Sequence, residues 1–306
     1  MKIIPPINIT DAKLVTSNVS ENDELEYVPG TGYVTGDRRM VTDPGVHAVY
    51  EALTATTNEY PPDNPLKWQR VSATNQRAMF DGKVGSVTSS SEVWTTGGGN
   101  GIQVEVTPGE VVNALTLMDT YADTVQIEMI DPVEGTVYDQ KYSMLDNGAV
   151  VDLYSYFFAP IERAESLTVL DFPSYGTAKL RVSMDKSGED ARCGTFATGR
   201  QVNVGDTLYG AGVGIIDFSR KEVDEFGVAT VIPRDYSRRA DLDVVIDAEK
   251  TDATIRFLTR YRATPVIWIG AVHRKSTIVY GYYRDFNVVL SNNVFTDMTI
   301  EIEGLT

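Results

Sequence analysis

Thr124-Val125-Gln126-Ile127-Glu128-Met129-Ile130 carries an apolar side chain at every second position. That is the period of a strand with one face on a core and the other in water. The same alternation recurs in Gln103-Val104-Glu105-Val106, in Ala178-Lys179-Leu180-Arg181-Val182-Ser183-Met184, in Leu242-Asp243-Val244-Val245-Ile246 and in Met298-Thr299-Ile300-Glu301-Ile302. Between these runs stand turn signals: Pro108-Gly109, Asp146-Asn147-Gly148 and Pro173-Ser174-Tyr175-Gly176. Tyrosine and β-branched residues, which suit a pleated half-buried surface, are plentiful. The fold class is therefore mainly β.

One stretch reads as a helix, about 247–261. Asp247 is its N-cap candidate, and Arg256, Arg260 and Arg262 gather near its carbonyl end, where the dipole favours cations. Ala253, Phe257 and Tyr261, with Leu258 beside them, form the expected apolar stripe. Pro265 stops the helix and opens Val266-Ile267-Trp268-Ile269, a buried-strand pattern.

The 306 residues include 27 Lys+Arg and 43 Asp+Glu, a net charge of −16. Such a balance argues against binding nucleic acid, which draws on a surplus of cations. No apolar run approaches the ~20 residues of a membrane-spanning helix. The opening residues lack the small-residue cleavage site of a secretory signal. Cys193 is the single cysteine, so no intrachain disulfide forms.

Composition divides the chain into four parts. Residues 1–24, with Pro5-Pro6, read as an extended N-terminal arm suited to adding a strand to a neighbour. Residues 25–73 form a small module dense in Gly, Pro and aromatics. Residues 74–186 hold regularly spaced strands, and residues 187–306 form the last unit, which contains the helix.

In the small module, Tyr27-Val28-Pro29-Gly30-Thr31-Gly32-Tyr33-Val34-Thr35-Gly36-Asp37-Arg38 is followed by His47-Ala48-Val49-Tyr50-Glu51-Ala52 and closed by Trp68-Gln69-Arg70-Val71. The pattern resembles a type-3 chitin-binding module. It departs from that family in having Tyr27 where the family has a Trp, and Leu53-Thr54-Ala55-Thr56-Thr57-Asn58 where the family has its sugar platform. Tyr33, Tyr50 and Trp68 are expected to form the core of so small a unit. Tyr60, flanked by Pro61-Pro62, is the candidate glycan contact.

The stretch Ala78-Met79-Phe80-Asp81-Gly82-Lys83 with the strands after it is similar to galactose-binding-like jelly rolls, which implies a two-sheet sandwich. The loop around Gly97-Gly98-Gly99 lacks the Lys-Ser/Thr ending of a phosphate loop. Trp94 beside it is the second candidate glycan contact. The aromatic run Tyr154-Ser155-Tyr156-Phe157-Phe158-Ala159-Pro160 reads as core with a neighbour-facing edge.

In the last unit, Tyr261-Arg262-Ala263-Thr264-Pro265-Val266-Ile267-Trp268-Ile269-Gly270 and Ile278-Val279-Tyr280-Gly281-Tyr282-Tyr283 carry a resemblance to phage virion proteins of the tail and baseplate. That resemblance implies a C-terminal β-sandwich with one flanking helix, assembled into an oligomeric ring in the virion tail after synthesis in the host cytoplasm. The implied partners are other copies of the chain and other tail or baseplate proteins. The alternative is a receptor- or carbohydrate-binding tail protein that recognises host surface glycan.

Nothing in the sequence announces catalysis. His47 and His273 are the only histidines and read as surface residues, and no Gly-x-Ser-x-Gly elbow occurs. Cys193 has no neighbouring His motif, and no metal-ligand spacing is visible. Two carboxylates from distant strands suffice for glycoside hydrolysis, but the acids here lie scattered along alternating strands. The expectation is a protein that is not an enzyme, with no catalytic residues, no cofactor and no bound metal.

Overall fold

A computed structural model describes residues 1–146, 152–158, 160, 162–170, 172–223 and 225–305, without the side chains of Ser155 and Tyr156. The expected turn at Asn147-Gly148 and part of the 154–160 run lie outside the described residues. The protein is mainly β and divides into two compact units, Ile7–Ala197 and Met1–Pro6 with Thr198–Thr306.

In the first unit, five antiparallel strands form a sheet in the order Gly135–Ser143, Thr124–Asp131, Lys179–Asp185, Gly101–Val106 and Leu14–Ser17. A second sheet places Ala114–Met118 between Ser166–Val169 and Thr195–Gly199. Ile102, Val104, Ile127, Leu180 and Val182 from the first sheet share one core with Leu115, Leu117 and Val169 from the second. That is a β-sandwich. Thr124–Asp131 alternates buried with half-buried residues along its whole length, as its period requires.

Gly101–Val106 differs from the expectation of one wet face, because all six residues are buried. Gln103 is covered by the loop before it: its amide accepts from Thr95 Oγ1 and Thr96 N and donates to Thr96 O and Ser183 Oγ. Glu105 is covered by the cations of the neighbouring strand. Polar residues are buried here because each finds its partners.

Residues 25–73 build a three-stranded sheet, Arg38–Val41, Ala48–Ala52 and Trp68–Ala73, with the short pair Gly32–Tyr33 and Thr56–Thr57. Tyr33, Tyr50 and Trp68 are buried in its core. The rings of Tyr33 and Trp68 meet edge to face at 5.3 Å.

The second unit is an eight-stranded antiparallel sheet. Its order is Val202–Asn203, Lys2–Ile4, Val266–Ile269, Ile278–Val289, Phe295–Gly304, Tyr236–Asp247 and Asp206–Thr207, with Gly212–Asp217 also paired to Tyr236–Asp247. Leu242 opposite Ile300 and Val244 opposite Met298 fill the core face.

Its helix is shorter than expected. Tyr236–Asp247 remains a strand to its end, Ala248–Lys250 makes a tight 3₁₀ turn, and the α-helix is Thr251–Arg260. Asp247 makes no side-chain cap bond; its carboxylate pairs with Lys250. Of the predicted stripe, Leu258 is buried and Phe257 and Tyr261 pack against the core, whereas Ala253 is exposed and Thr251 and Thr254 are buried instead. A hydrogen bond from Thr251 to Thr296 at 3.0 Å makes the threonine face suitable for burial.

Residues 1–24 are not an arm held away from the chain. Lys2–Ile4 is an interior strand of the second unit, with Ile3 and Ile4 fully buried, and Leu14–Ser17 edges the sandwich sheet. Lys2–Ile4 is paired on both sides and Leu14–Ser17 on one, so these residues are built into the chain's own sheets. The aromatic run also differs: Leu153–Phe158 is a short helix with Leu153, Tyr154 and Phe158 exposed, so these side chains are not core.

Candidate functional site

Tyr60 stands just before the Pro61–Asp63 turn. Its hydroxyl donates to Asp43 Oδ2 at 2.6 Å, and its ring meets that of Tyr27 at 6.1 Å. Burial, and then the bond to Asp43, push the phenol up to about 12. Trp94 lies on a hairpin closed by hydrogen bonds from Trp94 N to Gly99 O and from Gly101 N to Glu92 O. A Cβ on Gly99 would stand 2.5 Å from the Trp94 ring, so the indole lies flat against that glycine. Its Nε1 is buried without a hydrogen-bond partner. The two candidates thus sit on separate elements, Tyr60 held by Asp43 and Tyr27 and Trp94 by its own loop.

His47 is not a surface residue. It precedes Ala48–Ala52 at φ +39°, with only 15 % of its side chain exposed. Nδ1 lies 2.8 Å from Glu21 Oε1 and Nε2 3.4 Å from Asp11 Oδ2. Two carboxylates from residues 1–24 hold the ring, and Thr74 Oγ1 donates to the same Glu21 oxygen. His273 is exposed in a turn.

Beside His47 a pocket of about 320 Å³ opens, lined by Asp11, His47, Arg70, Arg77, Phe80 and Lys83 among others. Neither Tyr60 nor Trp94 is among its lining residues. The pocket escaped the sequence reading because its members are spread from Asn8 to Lys83, and only strand pairing brings them together.

Cys193 is fully buried, and burial pushes its thiol up to about 12. That environment suits a packing residue, not a nucleophile. Among the described residues no cluster of three His, Cys, Asp or Glu is placed to hold a metal ion. None of their helices is long and apolar enough to cross a membrane.

The largest uncovered feature is a β-ribbon in the second unit. Gly212–Asp217 pairs with the start of Tyr236–Asp247, and Arg220–Val223 pairs with Ala229–Ile232. No described residue from Leu208 to Tyr236 is buried. Val213, Ile215, Phe218, Val223 and Val231 all stand in solvent, Ile215 at 62 % and Val231 at 64 % exposure. An isolated two-stranded ribbon is marginal in water, and an uncovered strand edge is a template for another chain.

In comparisons with known proteins, no family model matches the chain and no curated protein matches it.

Proposed function

We propose that this chain is a structural subunit of a phage tail, a distal-tail or baseplate component that assembles into an oligomeric ring and works without turnover. The observation that carries the reading is the ribbon at 208–236, apolar and uncovered on both faces. Exposed apolar surface of this extent marks contact with another protein.

The occupant is another copy of the same chain. Residues 208–236 hold three basic and five acidic residues, Arg220, Lys221 and Arg234 against Asp217, Glu222, Asp224, Glu225 and Asp235, so both signs are present for pairing between copies. Closed rings follow when such a contact is head-to-tail and its rotation closes. The tail-protein resemblance of residues 261–283 supports the same reading. Glycan recognition through Tyr60 and Trp94 has less support, since one hydroxyl is taken by Asp43 and the other ring lies on Gly99.

Light scattering during size exclusion, followed by negative-stain imaging, tests the reading. Closed rings are expected, and antibody against the chain should label the tail end of the particles that carry it. A monomer at every concentration, or label elsewhere on the particle, would overturn it.

A further inference from the structure

We infer that the pocket beside His47 is a binding site for a small oxyanion, the carboxylate or phosphate of an acidic sugar or free ion. The inference is independent of the assembly reading and concerns the first unit alone. It rests on a surplus of hydrogen-bond donors in a concave site.

The two lining carboxylates are already used within the protein. Asp11 Oδ1 takes Arg77 Nη2 at 2.8 Å, while Asp11 Oδ2 accepts from Gly45 N and faces His47 Nε2. Asp81 Oδ1 accepts from Lys83 N and Oδ2 from Ser86 Oγ, both at 2.8 Å. The cations are not used up. Arg77 keeps Nε and Nη1 without a partner although its side chain is only 14 % exposed. Arg70 and Lys83, both exposed and lining the same pocket, form no salt bridge with any described carboxylate.

A buried guanidinium whose charge is only partly met by its own carboxylate favours an anion nearby. Three cations converging on one pocket, in a chain with sixteen excess negative charges, are an exception to its own electrostatics. Arg77 Nε and Nη1 are closed to solvent, so its charge acts through space, whereas the exposed Arg70 and Lys83 present open donors of the kind suited to an oxyanion. Arg70 and Lys83 meet the anion at the surface, with the Arg77 charge behind them. At about 320 Å³ the pocket admits a ligand of monosaccharide size. Phe80 contributes an apolar wall.

Calorimetric titration of the full chain with D-glucuronate, with inorganic phosphate and with D-glucose tests this. At least one of the two anions should bind and glucose should not, with affinity falling as salt is raised. The variant carrying Arg70→Ala and Lys83→Ala should bind at least about tenfold more weakly. Both positions are exposed, so its thermal midpoint should match that of the parent. Binding of glucuronate alone assigns the site to a sugar acid, and binding of phosphate alone to a phosphoryl group; each outcome supports the site. No binding of either anion, or equal binding by the double variant, overturns it.

Discussion

Arg181 stands directly opposite Glu105 in the antiparallel pairing of Lys179–Asp185 with Gly101–Val106, its Nη2 3.0 Å from Glu105 Oε2. Lys179 holds the other oxygen at 3.0 Å, and Arg181 reaches on to Glu128 at 3.3 Å. Charge therefore runs across three neighbouring strands of the sandwich. Glu105 is its buried node, so Glu105→Ala leaves Lys179 without its partner and should destabilise the unit by about 2 kcal/mol. Urea denaturation measures this. An unchanged midpoint would mean that the ion pairs merely cover a strand stable without them.

The same carboxylate gives the protein an acid limit. Burial pushes the Glu105 carboxyl up, but hydrogen bonds from Lys179 and Arg181 outweigh it and hold the group below its ordinary value. Asp123 is also lowered, first by the backbone N–H of Ser187 and, against burial, by Arg163 and Lys186. A carboxyl lowered by folding stabilises fully above its unfolded pKa, which is about 4 for these residue types. The contribution is lost as pH falls through the lower folded value. Stability should decline below about pH 4, and Glu105→Gln should flatten the decline. An identical acid limb in the variant would assign the limit to other groups.

Gly281 marks the tightest strand contact in the second unit. A Cβ there would lie 2.0 Å from Glu303 O and 2.7 Å from Gly304 Cα, its cross-strand partner. The Gly281 carbonyl also accepts from Trp268 Nε1 at 2.9 Å, so the strand cannot shift without breaking a buried bond. Gly281→Ala should cost about 3 kcal/mol through forced displacement of the sheet. Gly214→Ala, in open space, is the control and should change thermal unfolding little.

With its thiol raised to about 12 and no exposed surface, Cys193 should resist alkylation in the native protein. Iodoacetamide near pH 8 should leave the folded mass unchanged and add one adduct in urea. Rapid labelling without denaturant would show that the sandwich opens locally around this residue.

The sequence discloses strands wherever one face is wet, as along Thr124–Asp131, because the period then survives in the residue order. It conceals what depends on distant partners. Gln103 and Glu105 read as solvent-facing because the residues that cover them, Thr96, Lys179 and Arg181, lie elsewhere in the chain. The first turns of the helix mislead for the same reason: Leu258, Phe257 and Tyr261 face the core as their spacing says, but Thr251 and Thr254 are buried where Ala253 is not, and Thr251 bonds to Thr296 on a remote strand. Tyr33 and Trp68 are legible as core because a small module has few other apolar groups to bury. The pocket beside His47 has no local signature at all.

The ribbon is the extreme case of this dependence on context. Gly212-Val213-Gly214-Ile215-Ile216 has the composition of a core strand, yet Ile215 is mostly in solvent and, among the described residues, its strand pairs only with Tyr236–Asp247. If a second copy covers it, Ile215→Asp and Val231→Asp should each leave monomer stability within about 0.5 kcal/mol, since each residue is mostly exposed on its own chain. Assembly should suffer instead, because each places an unpaired charge in an apolar contact. Sedimentation velocity across a concentration series separates the two effects. Variants that assemble like the parent would show that copies do not meet through the ribbon, and a large loss of monomer stability would show that it packs against its own chain after all.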